Sequence, residues 1–500
     1  PGTPRTWLYA LIGISLAFKL WLSAVFPVTG DEAYFIDWGR YPALGYYDHP
    51  PMVGWWLALL VRIAEAPWVL RLPVTLLPAV SALLLFHLLR ERDEERAALA
   101  AIGLLLVPIH LWNVFITTDT PLVFFSLLSG LAFWKAVQPG RAAGWFVLAG
   151  VFLGLACLSK YFAALLGVAY LVCVLLTGGR QLWRGLILTF AAAVPFVALN
   201  LYWNYENCWA NFMFNLYNRH DNAGLSWRTP LLFIVTALYV LPVPALWNAV
   251  RGRAWRQPME GSTRILLIVA TVPWVLFAAL SVVRQVGLHW VLSFLPFCFA
   301  AAALMLDRAV LRRTALYLGA FSLIHVAGIA LAATQPLERW QGMRQYDGVV
   351  FHFRIAQVLD ALRAHEGGFE LAADGYSAAA TLAYYRGAPV PVFGEASSHA
   401  RHDDLVTDFR QLAGRNIAVL RKSPPRDADY RPYFAGYTTQ EVDIAGARFY
   451  IVLGRGFDYE AYRQGVLALV RDRYYRIPAY LPQGHCSFCE HYFATACPVR

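Results

Sequence analysis

Charge is what this 500-residue sequence has little of. Asp, Glu, Lys and Arg make up 15% of it and hydrophobic residues 58%, with a mean hydropathy of +0.47. A soluble globular chain carries roughly 25% charged residues, so the composition excludes an ordinary water-soluble domain. Lysine is scarce, and the net charge of +10 is nearly all arginine. No low-complexity basic tail is present, which speaks against nucleic-acid binding. The first apolar run, 7–26, is followed by no small-residue cleavage site, so a retained helix is expected rather than a removed signal peptide. No repeat at a solenoid period is visible, and no inverted repeat of the transporter kind. The seven cysteines are scattered except for Cys486, Cys489 and Cys497.

What is present is a series of apolar runs through the first two thirds. Runs near 20 residues span a bilayer as helices, and the sequence predicts segments at 7–26, 67–89, 96–116, 120–137, 144–158, 161–177, 185–203, 229–250, 264–283, 289–306 and 314–334. The short runs at 144–177 also read as one broken hairpin. Arginine gathers in the connections 90–96, 178–184, 251–264 and 307–313, which the positive-inside rule makes cytoplasmic. The N-terminus is then inside. The first loop, 27–66, the loop 204–228, the stretch 284–290 and everything after 335 face outward. The last third changes character. GFELAADGYSAAATLAYYRGAPVPVFG reads strand, helix, strand, NIAVLRK and ARFYIVLGRGF alternate as strands do, and YEAYRQGVLALVRDRYY has helical periodicity. The expectation is a polytopic α-helical membrane domain, 1–334, followed by an external α/β domain, 335–500.

The polar residues of the outward face are concentrated. The loop after the first run, GDEAYFIDWGRYPALGYYDHPPMVGWW, carries Asp31, Glu32, Tyr46, Tyr47, Asp48 and His49; Asp31 is expected to be catalytic and the other five to contact substrate. Its aromatic content suits short interfacial helices. Asp31 stands at head-group depth, where a carboxylate can act as a general base on a lipid-borne substrate. Asp31 and Glu32 also suit the first turn of a helix, which favours acids. Asp48 is a candidate N-cap ahead of Pro50 and Pro51, or, with His49, a holder of phosphate or a divalent metal. Asp119, in ITTDTPLVFF, begins a later segment and is either a capping residue or a second acid facing Asp31. Lys160 interrupts an apolar run, which marks an anion site or a snorkelling end. Arg219 and His220, and Arg284 and His289, supply cations for a phosphate. All map to one side, near span ends. That argues against an ion-relay transporter, whose charges lie near the midplane. HCSFCEHYFATAC has zinc-like spacing but lacks a second paired motif, and outside the cytoplasm a disulfide is at least as good a reading.

GDEAYFIDWGR, GYYDHPPMVGWW, TTDTPLVFF and LSKYFAALL together resemble the bacterial family 39/83 glycosyltransferases. These have the C-type fold, use polyprenyl-phosphate sugars, and include lipid A aminoarabinose transferases and protein O-mannosyltransferases. ADGYSAAATLAYYRG and RYYRIPAYLPQGHCSF are similar to the tails of bacterial members. The resemblance implies about 11–13 spans, a catalytic Asp31, and a second acid at Asp119. It implies a carrier-binding acid-Lys-Pro-Pro element that here is Asp48-His49-Pro50-Pro51, with His49 where the family has lysine, and an intramembrane lysine at Lys160. Arg219 and His220 match an external His/Arg pair loosely. A family metal site carried over would be a divalent ion on Asp48 and His220; no organic cofactor is implied. The implied reaction is inverting transfer of a sugar from a polyprenyl-phosphate carrier to a lipid A or other glycolipid acceptor on the periplasmic side of the inner membrane. Transfer to protein is the alternative within the class. A lipid-linked-sugar flippase, or a sensor built on the external domain, is the alternative outside it.

Overall fold

The structure is a computed structural model and describes residues 2–218, 224–252, 259–395, 402–494 and 497–498. The chain divides into two compact units. One comprises Pro1–Phe26, Ala64–Leu199 and Asn222–Ala333; the other comprises Pro27–Ile63, Asn200–Asp221 and Thr334–Arg500. Two loops of the first two thirds therefore fold together with the last third.

The first unit is helical, and the protein is a multi-pass membrane protein. Among the described residues six helices are long and apolar enough to cross a bilayer: Pro4–Val25, Pro67–Leu89, Arg180–Glu206, Gly261–Ser281, Leu288–Met305 and Arg308–Ala333. A seventh is counted if Arg228–Val240 and Val243–Arg251, bent by 101°, form one span. The remaining expected segments are helices of a different make. The run 96–116 is divided into Glu94–Leu105 and Pro108–Trp112, because the Pro108 ring fits the first turn of a helix and not its interior. The run 120–137 forms Asp119–Ala136. The pair at 144–177 forms Gly144–Cys157 and Tyr161–Thr177, parted by a break at Lys160, whose backbone is extended (φ −166°, ψ 144°).

Close helix contact in lipid needs small residues and internally paired polar groups. Both are present. Ala97, Ala98, Ala100 and Ala101 are fully buried on one helix, and the Phe297 ring fills the space a side chain at Gly130 would need. Ser129 Oγ donates to the Ala149 carbonyl at 2.7 Å and meets Tyr170 OH at 2.8 Å. Two buried cations serve backbone carbonyls. Pro78 lies inside a helix and cannot donate to the carbonyl four residues back; Lys19 Nζ donates to that Val74 carbonyl at 2.9 Å. Arg71 donates to the Ser23 and Phe26 carbonyls at 2.9 and 2.8 Å, so it caps the C-terminal end of Pro4–Val25, where a cation meets the negative end of the helix dipole.

The second unit is built on a four-stranded mixed sheet: β1 Glu370–Ala373, β2 Ile417–Arg421, β3 Phe434–Ile444 and β4 Ala447–Phe457. Its order is β1-β2-β4-β3. β1 and β2 are parallel, with Leu371 opposite Ala418, and the other pairs are antiparallel. The β1–helix–β2 crossover uses Tyr376–Arg386. The expected strand after that helix is reduced to an isolated bridge, Ala373 to Val392. β3 and β4 join through Ala445 and Gly446, both at positive φ (51° and 77°), as a two-residue hairpin turn of the I′ kind requires. One face buries Val350, Leu359, Leu371 and Ile451; the other buries Phe393, Phe409, Val419 and Tyr462. At roughly 25 cal/mol per Å2 of apolar surface, each such side chain contributes about 1.5–3 kcal/mol. Disulfides Cys208–Cys486 and Cys489–Cys497 fasten the 200–221 segment and the C-terminal turn to this core.

Candidate active site

The first-loop acids sit on a well-defined start of a helix, Gly30–Arg40. Thr29 is its N-cap. The Thr29 hydroxyl accepts from Glu32 N at 3.4 Å, and Glu32 Oε2 accepts from Thr29 N at 3.0 Å and from the Thr29 hydroxyl at 3.1 Å. This reciprocal capping box satisfies helix-end donors and keeps Glu32 fully buried. Asp31, one residue earlier, turns the other way and is exposed. Its Oδ1 accepts from Tyr376 OH at 2.8 Å. Tyr376 opens the helix Tyr376–Arg386. The two helix starts touch so closely that a side chain at Gly30 would collide with Ser377.

A second acid–phenol pair lies beside the first. Tyr34 OH donates to buried Asp48 Oδ1 at 3.3 Å, and the Tyr34 and Tyr376 rings meet edge to face, 5.4 Å apart. Burial, and then the neighbouring carboxylates, push both phenols well above the ordinary tyrosine value, so both stay protonated donors at neutral pH. His49 is half-buried, its Nε2 3.9 Å from Asp48. The helix after Pro50 begins at Met52 with Pro51 at its N-cap, so Asp48 does not cap it. Tyr46 and Tyr47 are buried. Tyr46 stacks on Trp38 at 4.2 Å and donates to the Trp38 carbonyl at 2.9 Å. Tyr47 packs on Phe214 and Tyr475.

The membrane unit holds a different arrangement. Asp119 starts the helix Asp119–Ala136 and is buried. Both its oxygens accept from Lys160 Nζ at 2.9 Å. The break at Lys160 carries that ammonium out of the helical register and onto the acid. His289 Nε2 lies 4.0 Å from Asp119 Oδ2 and is exposed. The Arg284 guanidinium lies over the Trp290 ring at 5.9 Å. A cavity of about 30 Å3 reaches Asp119 and is lined also by Lys19, His110, Asn113 and Thr117. Arg219 and His220 lie outside the described residues.

Sequence reasoning passed over Tyr34, Tyr376, Lys19 and Arg71. Lys19 and Arg71 had a signal, being cations inside or beside apolar runs. The tyrosines had none, since aromatics are abundant throughout this chain.

The donor sets decide what a metal ion would find. Among the described residues the one group of three His, Cys, Asp or Glu side chains close enough to share an ion is Cys486, Cys489 and Cys497. Disulfides engage all three sulfurs, so they offer no thiolate. Among the described residues Asp48 belongs to no such group; the Tyr34 hydroxyl and His49 are among its neighbours. The other expected ligand, His220, lies outside the described residues, and no step below runs through a metal.

Comparison with known proteins places this geometry. The sequence model of the dolichyl-phosphate-mannose-protein mannosyltransferase family matches residues 48–203. The lipid A galacturonosyltransferase RgtD of Rhizobium johnstonii is 29% identical over 214 residues, which is 41% of this chain and 44% of that one. The chain thus spans under half the length of the curated relative it matches. Among solved structures, ArnT from Cupriavidus metallidurans bound to undecaprenyl phosphate superposes with a TM-score of 0.62 at 18% identity, over 89% of this chain and 98% of the other. Its apo form superposes at 0.61, again at 18% identity, over 90% and 98%. The chain has the C-type glycosyltransferase fold. In this glycosyltransferase-type fold, the exposed acid is Asp31 and the ion-paired acid is Asp119.

Proposed function

We propose that this protein is an integral-membrane glycosyltransferase that moves a sugar from a polyprenyl-phosphate carrier to a lipid A or related glycolipid acceptor, with inversion. Asp31 is the general base. It takes the proton of an acceptor hydroxyl; that oxygen attacks the anomeric carbon, the bond from that carbon to the phosphate oxygen breaks, and polyprenyl phosphate leaves with the electron pair. The leaving group is already a stabilised anion, so cations rather than a strong acid suffice. His49, Arg219 and His220 are the proposed cations of the unit that carries Asp31. In the membrane unit Lys160 holds Asp119 in an ion pair. The prenyl chain, anchored in the bilayer, lowers the entropic barrier. The active side is periplasmic, a reading supported by two disulfides in the second unit, which form in oxidising compartments.

The observation that carries this reading is Asp31 itself: an exposed carboxylate on a helix start, with one oxygen fixed by a phenol. The fold of an undecaprenyl-phosphate-binding protein and the likeness to a lipid A galacturonosyltransferase support the substrate classes.

The test incubates the full chain in nanodiscs with undecaprenyl phosphate bearing galacturonate, aminoarabinose or mannose, and with lipid A or a Ser/Thr peptide. Released undecaprenyl phosphate is followed by mass spectrometry for wild type and Asp31→Asn. Release with one donor, requiring lipid A and Asp31, is the expected result. Release only with the peptide would move the acceptor to protein, which the partial match to a protein mannosyltransferase family makes the second reading. Tight donor binding without release, unchanged in Asp31→Asn, would point to a carrier.

A further inference from the structure

We infer that Tyr376, in the C-terminal third of the chain, is a positioning residue for the reaction: it acts through Asp31 and sets which carboxylate oxygen is the base. The inference rests on the proposed transferase reading. A lone aspartate on an exposed first turn rotates about its χ angles, and its two oxygens exchange. Here the Tyr376 hydroxyl donates to Oδ1 at 2.8 Å, and among the described residues no partner is found for Oδ2. The bond therefore distinguishes two otherwise equal oxygens and leaves Oδ2 to meet an acceptor hydroxyl. Rotational freedom removed in advance is barrier removed from the chemical step.

The phenol is itself held from several sides. Its ring rests on the Tyr34 ring, Tyr34 is tied to buried Asp48, and the first turn of its helix abuts Gly30 at Ser377. From the far end of the same helix, the Tyr385 hydroxyl accepts from Val28 N at 3.2 Å, and the Tyr384 ring lies under the Arg40 guanidinium at 5.5 Å. The helix Tyr376–Arg386 is thus fixed to the segment 28–40 at several points, and Tyr376 is the one that reaches the acid. Such a clamp explains why a helix of the C-terminal third packs on the first loop: it makes the loop acid a defined base rather than a mobile one.

The test separates this from a packing role. Tyr376→Phe keeps the ring on Tyr34 and removes only the hydroxyl; Tyr376→Ala removes both. With the donor and acceptor that turn over in wild type, Tyr376→Phe is expected to lower kcat about tenfold with KM within about twofold. In the Asp31→Asn background the same substitution is expected to change nothing further, because a residue acting through Asp31 has nothing left to act on. Tyr376→Phe at wild-type rate, with loss only in Tyr376→Ala, would overturn the inference and leave the transferase reading standing. An additional loss in the double variant would also overturn it. Activity unchanged in Asp31→Asn would instead sink the transferase reading and the inference with it. A readout free of turnover is the 19F NMR titration of 3-fluorotyrosine at 376. Its phenol is expected to titrate above the free amino acid and to move toward it in Asp31→Asn; no movement would overturn the contact.

Discussion

Each of the two units carries an aspartate in the first turn of a helix, and each holds it differently. In the membrane unit Asp119 is buried, and Lys160 gives both of its oxygens a charged partner. In the second unit Asp31 is exposed and receives one hydrogen bond from a neutral phenol. An ammonium at 2.9 Å neutralises a carboxylate and removes it as a base. A phenol orients a carboxylate and leaves its charge in place. An aspartate in the first turn of a helix is therefore ion-paired in one setting and, on the proposed reading, a base in the other, and the partner distinguishes them.

The largest expected effect is on Asp31. A general base contributes roughly 100- to 10,000-fold, so Asp31→Asn is expected to lower kcat by about a thousandfold while thermal unfolding stays within a degree or two, the side chain being exposed. Steady-state release of polyprenyl phosphate and a melting curve check both halves. A variant that loses its fold along with its activity would erase the contrast with Asp119.

The mirror experiment is Lys160→Met. Removing one partner of a buried pair leaves the other charge uncompensated, at a cost of roughly 3–5 kcal/mol. A melting temperature lowered by several degrees in detergent is expected. The double variant Lys160→Met with Asp119→Asn should recover much of it, since neither charge then remains. No recovery would show that the pair is not the unit of stability.

How far the sequence reaches follows the same division. The membrane helices were legible because a bilayer imposes length and apolarity directly. Asp31, Asp48, Asp119 and Lys160 were legible because ionisable groups are few and stand out. What they touch was not. Nothing near Asp119 in the sequence names Lys160, 41 residues away, or shows that Lys160 sits at a helix break. Tyr376, 345 residues from Asp31, is one tyrosine among 26. The pairing of Cys208 with Cys486 was equally hidden, because Cys208 lies far from the cysteine cluster that drew a metal or disulfide reading. β3 has a mixed, mostly exposed pattern, so alternation did not reveal it, whereas it did reveal its partner β4.

The second unit is also expected to show a pH dependence. His402 is half-buried against the Tyr34, Trp38 and Tyr46 rings, and desolvation there lowers its pKa to about 4. An unfolded histidine titrates near ~6.5. Between these values the unfolded chain binds the proton and the folded one does not, so stability is complete above the window and falls as the pH drops through it. At about 1.4 kcal/mol per pH unit, the loss at pH 4 is at most about 3 kcal/mol. Melting curves from pH 7 to pH 4.5, for wild type and His402→Gln, check this. The variant is expected to show the shallower dependence, and parallel curves would remove His402 as the cause.

The smallest expected effect concerns the neighbour of the proposed base. Glu32 and Asp31 are adjacent acids of the same type, and both were read from the sequence as facing substrate. Glu32 is fully buried and its Oε2 completes the capping box with Thr29. Glutamine serves the same box, so Glu32→Gln keeps the geometry and removes only a charge near the helix start, worth roughly 0.3–1 kcal/mol. The expected outcome is a melting temperature lowered by a degree or two, with kcat and KM within about threefold of wild type. Glu32→Ala, which removes the cap, is expected to cost about 1 kcal/mol more. If Glu32→Gln instead raised KM tenfold at unchanged stability, the buried carboxylate would be reaching substrate on turnover, and the contrast between a structural and a chemical acid would have to be drawn inside one helical turn.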